Sequence, residues 1–484
     1  MRPLLPLLWL LVPGLASAAA AAPLQGSPPN IVFLFADDQR TDTIAAHGNG
    51  EIETPAIDRL VARGTSFRNA YCMGSPHGAV CVPSRAMLHT GQPYFRLQGE
   101  AFKARPLLGE LLRGAGYRTF GTGKWHNGRD SFARSFDSGA GIYFGGMGDH
   151  HALKVTSLAN GEFGPDGLSA QHSSEIFADA AASFLESYAG AEPYFLYVAF
   201  TAPHDPRDPP PGRRGAQGRR RGLLPRSFQH QFPFDNGFLT VRDEQLAAWP
   251  RDPAVVSLQL DDYYALIEHM DSQVARILAA ASARPDAGNT LFVYAADHGL
   301  ALGSHGLLGK QSLFEHSVRA PLIVSGPGIP QGASTDAPVY LFDLFPTLLE
   351  RAGVAVPEDT FGRSLEPLLI DARARTWNST FTAMGNTQRA LRSGDWKLIR
   401  YPAAGRVQLF DLGSDPGEVR DLSADPVQSG RLTWMTLELG RWQARAGDDL
   451  SLVPVLPPAP EVDLSDAPRK PDRWQPDWIV ERDF

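Results

Sequence analysis

Two pairs of metal-type ligands punctuate the chain, Asp37-Asp38 and Asp297-His298. Each closely follows an apolar run, Asn30 to Phe35 before the first pair and Thr290 to Ala296 before the second. Neighbouring side chains of a strand point to opposite faces, so Asp37 and Asp38 can converge on one ion only where the strand ends and the backbone turns. Three carboxylates with one imidazole favour a hard divalent cation, Ca²⁺ or Mg²⁺; the nitrogen leaves Mn²⁺ or Zn²⁺ open. Basic residues in similar settings could hold an anion. Lys124 and His126 stand in Gly123-Lys124-Trp125-His126, and Lys310 lies in the Gly-rich stretch after Asp297-His298. A lysine supplies a point charge and a histidine titrates near neutrality, which is what transfer of a charged group requires. His204, in Ala202-Pro203-His204-Asp205-Pro206, follows another apolar run that ends at Phe200. Loops beyond strand ends are where such residues do chemistry in layered α/β proteins.

Such a constellation needs rigid elements behind it. The runs Asn30–Phe35, Tyr194–Phe200 and Thr290–Ala296 are short and unbroken, the pattern of strands buried on both faces. Leu107, Leu108, Leu111, Leu112 and Ala115 recur at helical spacing up to Gly116, and Tyr117 to Phe120 reads as the next strand. Ile267, Met270, Val274, Ile277 and Leu278 mark one face of a long helix. A strand at Pro321 to Val324 and a helix over Val339 to Ala352 continue the alternation. This predicts an α/β fold with a large, mostly parallel central sheet flanked by helices. After Gly353 the texture changes: Trp396–Ile399 and Val407–Phe410 read as short strands, and Leu432, Met435, Leu439 and Trp442 as a helix. A smaller C-terminal antiparallel sheet with one helix follows. The chain then divides into an N-terminal domain at 24–374, an α+β subdomain at 375–450 and a Pro-rich tail at 451–484. The tail is expected to wrap the surface without regular structure, docked through Trp474 and Trp478.

Composition narrows the class. The 484 residues carry 45 basic and 53 acidic side chains, a net charge of −8, which argues against a nucleic-acid partner. With 43% hydrophobic and 20% charged residues the chain is ordinary globular protein. Arg2, the apolar stretch Leu4 to Leu15 and the small residues Ala16-Ser17-Ala18 form an export signal over residues 1–22. The mature protein is therefore expected in the periplasm or secreted, with no membrane span once the signal is removed. Only Cys72 and Cys81 are present, so no disulfide framework supports the fold.

Cys81-Val82-Pro83-Ser84-Arg85, continuing to Thr90-Gly91, resembles the modification signature of the type I sulfatases, Cys-x-Pro-Ser-Arg with a following Thr-Gly. The other candidate residues fall in the same order as in that family, and the resemblance runs over roughly residues 28 to 450, including Leu409-Phe410-Asp411-Leu412. It implies an alkaline-phosphatase-like fold and hydrolysis of a sulfate ester. It further implies that Cys81 is converted to Cα-formylglycine by a formylglycine-generating or anaerobic sulfatase-maturing enzyme. By the same resemblance Asp37, Asp38, Asp297 and His298 hold the metal, usually Ca²⁺, with Mg²⁺ or Mn²⁺ as alternatives. Arg85 would activate the nucleophile, Lys124 and Lys310 would neutralise the sulfuryl oxygens, His126 would assist proton removal, and His204 would protonate the leaving oxygen. Asp297-His298 departs from the Asp-Asn of many members and is similar to the branch of iduronate-2-sulfatases, choline-sulfatase-like enzymes and bacterial polysaccharide sulfatases. Phosphonate or phosphate monoester hydrolysis, and a glycan-binding protein without catalysis, are the competing readings.

The implied substrate is a sulfated mono-, oligo- or polysaccharide. Residues 205–226 carry seven arginines in a Gly/Pro-rich loop after His204, a positive rim for a polyanion. His150 and His151 fall in a region where the family places substrate contacts, and Arg319 and Trp377 are further candidates. Cys72 is expected to remain a free thiol, because Cys81 must stay reduced until it is modified.

Overall fold

A computed structural model describes residues 27–484, apart from 79, 99–100, 214–222, 455–456 and 468. The export signal at 1–22 and Arg214, Arg219, Arg220 and Arg221 of the arginine-rich loop lie outside the described residues.

The apolar run at the start of the chain forms the strand Asn30–Ala36, buried at every position. It is hydrogen-bonded on both sides and in parallel, to Thr290–Ala296 on one flank and Tyr194–Ala199 on the other. Arg118–Lys124 pairs with Tyr194–Ala199, and Ser138–Tyr143 with Arg118–Lys124, again in parallel. These five strands are the middle of a sheet of twelve among the described residues. Antiparallel strands extend it on both sides, Leu322–Ser325 beside Thr290–Ala296 and Lys154–Ala159 beside Ser138–Tyr143. The central five strands are all parallel, as suits the part of the sheet that helices cover.

Two groups of helices pack on it. Pro55–Arg63, Ser173–Ser187 and the 30-residue Pro253–Ser282 pack with one another, and Cys81–Thr90, Leu108–Gly114 and Leu344–Arg351 form the second group. Asp252 caps the long helix by accepting from the Ala254 amide, with Pro253 in the first turn.

The C-terminal sheet has the antiparallel strands Thr380–Met384, Gln388–Ser393, Trp396–Tyr401 and Arg406–Asp411. The helix Ser429–Ala446 buries Met435, Leu439, Trp442 and Ala446 on one stripe and packs on this sheet. A two-residue strand, Gly74–Ser75, joins the sheet in parallel with Ala383 and Met384, which ties it to the segment leading into Cys81. Gly74 sits at φ +75, and a Cβ there would lie 1.9 Å from the Ala383 carbonyl oxygen. No other residue type fits that crossing.

Two expectations need correction. Val339 and Tyr340 do not begin a helix; they end the strand Ala333–Tyr340, paired in parallel with Gly64–Tyr71. The Asp343 carboxylate accepts from the Tyr340 amide, and the helix starts only at Leu344. The tail is not wholly irregular either, since Asp477–Asp483 is a short helix behind Pro476. Trp478 docks as expected, its indole N–H donating to Asp208 Oδ1 at 3.2 Å. Among the described residues no helix is long and apolar enough to cross a membrane.

Candidate active site

The parallel strands deliver their carboxyl ends to one place. Asp37 and Asp38 follow Asn30–Ala36, Lys124 closes Arg118–Lys124, His204 lies beyond Tyr194–Ala199, and Asp297-His298 follow Thr290–Ala296. This is the end of an α/β sheet where ligands bind. Asp38 adopts φ +62, the backbone turn that lets both carboxylates face one point. Asp297 Oδ1 fixes that turn by accepting from the amides of Asp38 and His298, both at 3.0 Å.

Asp37, Asp38, Cys81, Asp297 and His298 each offer a ligand atom, all within 4.8 Å of one another and all buried. His298 Nδ1 lies 2.8 Å from the Gly299 carbonyl, which can only accept, so the proton is there and Nε2 faces the cluster bare. Asp37 Oδ1 is buried without a hydrogen-bond partner. Burial, opposed by Lys310 and His298, pushes the Asp38 carboxyl up to about 6. Three sequestered carboxylates with an unsatisfied oxygen fit a divalent cation, which would hold all of them ionised.

Cys81 opens the helix Cys81–Thr90 with its Sγ 3.3 Å from His298 Nε2 and 3.3 Å from Lys310 Nζ. Burial and the charge of Asp37 push the thiol well above its usual range, against the pull of Lys124 and Lys310. The site therefore disfavours a thiolate, the form in which cysteine is a nucleophile. Arg85, wholly buried, donates to the Lys124 carbonyl at 2.6 Å and to Asp297 Oδ2 at 3.3 Å, and lies over the Phe35 ring. Lys124 Nζ bonds to Asp37 Oδ2. Lys310 Nζ donates to both oxygens of Asp38, at 2.8 and 3.0 Å, and faces His204 Nε2 at 3.0 Å. Gly123, at φ +90, lets this strand end close on its neighbour, since a Cβ there would meet the Ala199 carbonyl at 1.9 Å.

The two histidines have different settings. His126, at φ +62, is pushed down to about 3 by burial and by Lys124 and Arg85, so its ring is neutral and available as a proton acceptor. Gly146 brings a loop against that ring: a Cβ at Gly146 would lie 2.9 Å from His126 Nε2 and Cε1. His204 is held well below the usual histidine range by burial first and Lys310 second, with Asp205 opposing.

Thus Asp37, Asp38, Cys81, Arg85, Lys124, His204, Asp297, His298 and Lys310 converge, with His126 beside them. Other candidates lie elsewhere. His150 is buried, with Nε2 donating to the His204 carbonyl and Nδ1 facing Ser173 Oγ, so it braces the His204 loop and presents no free face. His151 is partly exposed and faces Asp208 at 3.8 Å. Arg319 borders a neighbouring cavity with Arg40, Asp42 and Glu315. Trp377 is corrected outright: it is 1% exposed in an aromatic core with Phe361 and Trp442, its N–H donating to Asp343 Oδ2 at 2.7 Å. A tryptophan so enclosed cannot face a substrate. Arg207, one of the seven loop arginines, is buried against Gln259. Both cysteines are free and buried.

Two contributors were missed by sequence reasoning, Asp205 and Arg242, which meet in a salt bridge behind His204. Adjacency to His204 is the only sequence signal for Asp205, and Arg242 has none.

The sulfatase family profile matches residues 29–354, and that of the N-sulphoglucosamine sulphohydrolase C-terminal region matches 303–444. An N-acetylglucosamine-6-O-sulfatase of Bacteroides thetaiotaomicron is 27% identical over 87% of this chain and 86% of its own. The N-acetylgalactosamine-6-sulfatase of Sus scrofa is 28% identical over 85% and 79%. A solved structure in complex with D-glucosamine-2-N,6-O-disulfate superposes with a TM-score of 0.73 at 22% identity, covering 87% of this chain and 98% of that one. A phosphonate monoester hydrolase from Silicibacter pomeroyi shares the fold, with a TM-score of 0.68 at 21% identity over 87% and 96%.

Proposed function

The chain belongs to the sulfatase family and is a sulfuric ester hydrolase, and from that premise we propose that its substrate is a sulfated carbohydrate. The convergence of Cys81, Arg85 and two buried lysines on the carboxylate cluster is the observation that carries the sulfuryl-transfer chemistry. Relatives named for sulfated amino sugars and hexuronates support the carbohydrate class.

We assign Asp37, Asp38, Asp297 and His298 as holders of a divalent cation, Ca²⁺ by preference because the donors are three carboxylates and one nitrogen. When bound it supplies concentrated positive charge against developing negative charge. Conversion of Cys81 to Cα-formylglycine, by a separate maturation enzyme, supplies a hydrated aldehyde whose hydroxyl replaces the disfavoured thiolate as nucleophile. Lys124 and Lys310 hold the sulfuryl oxygens, and Arg85 orients the nucleophile from beneath. Neutral His126 takes a proton from the nucleophile side. In the free site burial first and Lys310 second keep His204 neutral with Nε2 bare; with a sulfuryl group compensating Lys310, Nε2 takes up a proton and gives it to the leaving sugar oxygen. The export-signal pattern at 1–22 supports a mature enzyme in the periplasm or outside the cell.

The test is release of inorganic sulfate from a panel of sulfated mono- and oligosaccharides, set against phosphate or phosphonate esters of matched alcohols. Sulfate release with a higher kcat/KM than on the phosphorus esters is the expected result. Preference for a phosphonate monoester would overturn the assignment in favour of the neighbouring hydrolase chemistry.

A further inference from the structure

The C-terminal tail reaches the back of the active site. His204 Nδ1 lies 2.8 Å from the Asp205 carbonyl oxygen and 3.3 Å from Asp205 Oδ1. A carbonyl can only accept, so the proton sits on Nδ1, and Nε2 is turned toward Lys310 and Asp38. Asp205 Oδ2 is in turn ion-paired with Arg242 Nη2. Arg242 is clamped from its other side by a residue over 200 positions away: its Nε donates to Asp472 Oδ2 at 2.6 Å and its Nη2 lies 2.5 Å from the same oxygen. Gln475 Nε2 spans both carboxylates, 3.5 Å from Asp205 Oδ2 and 3.5 Å from Asp472 Oδ2.

The tail that carries Asp472 is anchored at several points. Arg482 Nη1 donates to buried Asp262 on the long helix at 2.5 Å, Gln259 Nε2 donates to Asp483 Oδ2 at 2.9 Å, and Trp478 reaches Asp208. The anchoring residues Asp208, Gln259 and Asp262 are themselves buried, so the tail completes the protein's interior. The interior charges also agree with the chain of contacts. Although burial opposes ionisation, Arg242 and His204 hold the Asp205 carboxyl well below the usual carboxylate range.

We infer that Asp472, acting through Arg242 and Asp205, is a positioning residue for His204, so that the C-terminal tail is part of the catalytic apparatus. This rests on the sulfatase reading, in which His204 serves the leaving group. The line of contacts is carboxylate, guanidinium, carboxylate, imidazole, and each member fixes the rotamer of the next. A guanidinium whose donors lie along the edges of one rigid plane, held between two carboxylates, transmits geometry better than a single contact would. Loss of Asp472 removes the contact on the Nε edge of Arg242, leaving Asp205 and Asp243, which bonds Nη1 at 3.2 Å, as its carboxylate partners; the guanidinium can then turn on Asp205, and the imidazole with it. A misplacement of this kind costs rate only where the proton matters, on a substrate whose leaving group is a poor one.

The experiment compares matured full-length protein with Asp472→Asn, which keeps the shape and removes the charge from a partly exposed side chain. Two substrates are used, a sulfated sugar and an activated aryl sulfate. The expected result is a fall in kcat of about tenfold on the sugar, with KM unchanged, and less than a twofold change on the aryl sulfate. An equal fall on both, or no fall on the sugar, would overturn the inference. Ring ¹⁵N shifts of His204, assigned by comparison with His204→Ala, judge the contact chain separately from turnover. They should move from the Nδ1-protonated pattern toward mixed tautomers in Asp472→Asn; unchanged shifts also overturn it. A wild-type protein that hydrolyses neither ester would defeat the sulfatase reading instead, and the ¹⁵N shifts would still decide whether Asp472 positions His204.

Discussion

Removing the metal should make stability depend on pH in a way that traces to Asp38. In the folded chain burial lifts this carboxyl from 3.8 to about 6 despite Lys310. The folded state therefore keeps a proton that the unfolded chain has already released, and ionising Asp38 costs folding free energy as pH rises. The stabilising state lies at low pH, and it is lost as pH passes through about 6. Between pH 5 and pH 7 the proton excess of the folded form over the unfolded falls from about 0.8 to about 0.1, averaging about half a proton over two pH units. That is about 1.4 kcal/mol of lost stability over the interval. A bound divalent cation favours the ionised carboxylate and should remove this loss. Denaturant unfolding of the chelated protein at pH 5 and pH 7, repeated with Ca²⁺ in excess, measures both slopes. Asp38→Asn is the control, since it cannot ionise: other buried groups that titrate in this window, such as His126 and Asp343, are common to both proteins, so the pH 5 to 7 change in stability should differ between them by a similar amount. If Asp38→Asn kept the wild-type slope, the buried-carboxylate reasoning would be refuted.

Other variants test separate links. Gly74→Ala forces a Cβ onto the Ala383 carbonyl at a left-handed backbone, and should lower unfolding free energy by about 2–4 kcal/mol in denaturant titration. Gly146→Ala crowds the His126 ring; kcat should drop several-fold with little change in melting temperature, and an unaffected kcat would show that the ring tolerates the shift. His204→Ala should cripple turnover of sulfated sugar by about 100-fold or more, yet be largely rescued by an activated aryl leaving group, whereas His126→Ala should not be rescued. Failure of the aryl ester to rescue His204→Ala would remove that residue from the leaving-group role.

The site was legible where chemistry sits next to strong local pattern. Asp37-Asp38 and Asp297-His298 follow strands buried on both faces, whose unbroken apolar runs have a visible end. Cys81 to Arg85 is a compact motif on a single helix. The outer strands were not legible: Lys154–Ala159 alternates buried and exposed positions, and Ser138–Tyr143 contains two glycines. Nor could composition tell an enclosed tryptophan from a presented one, so Trp377 misled while Trp442 did not. The Asp205–Arg242–Asp472 contacts escaped for a different reason. They are single charges brought together by the fold, with no periodicity or spacing to announce them.

Mass spectrometry of the peptide bearing Cys81, from protein matured in a host with the modifying enzyme and from a native source, tests the central claim most directly. Conversion to Cα-formylglycine leaves that residue about 18 Da lighter, and the modified fraction should track sulfate release. Unmodified cysteine in natively purified, active protein would contradict the claim.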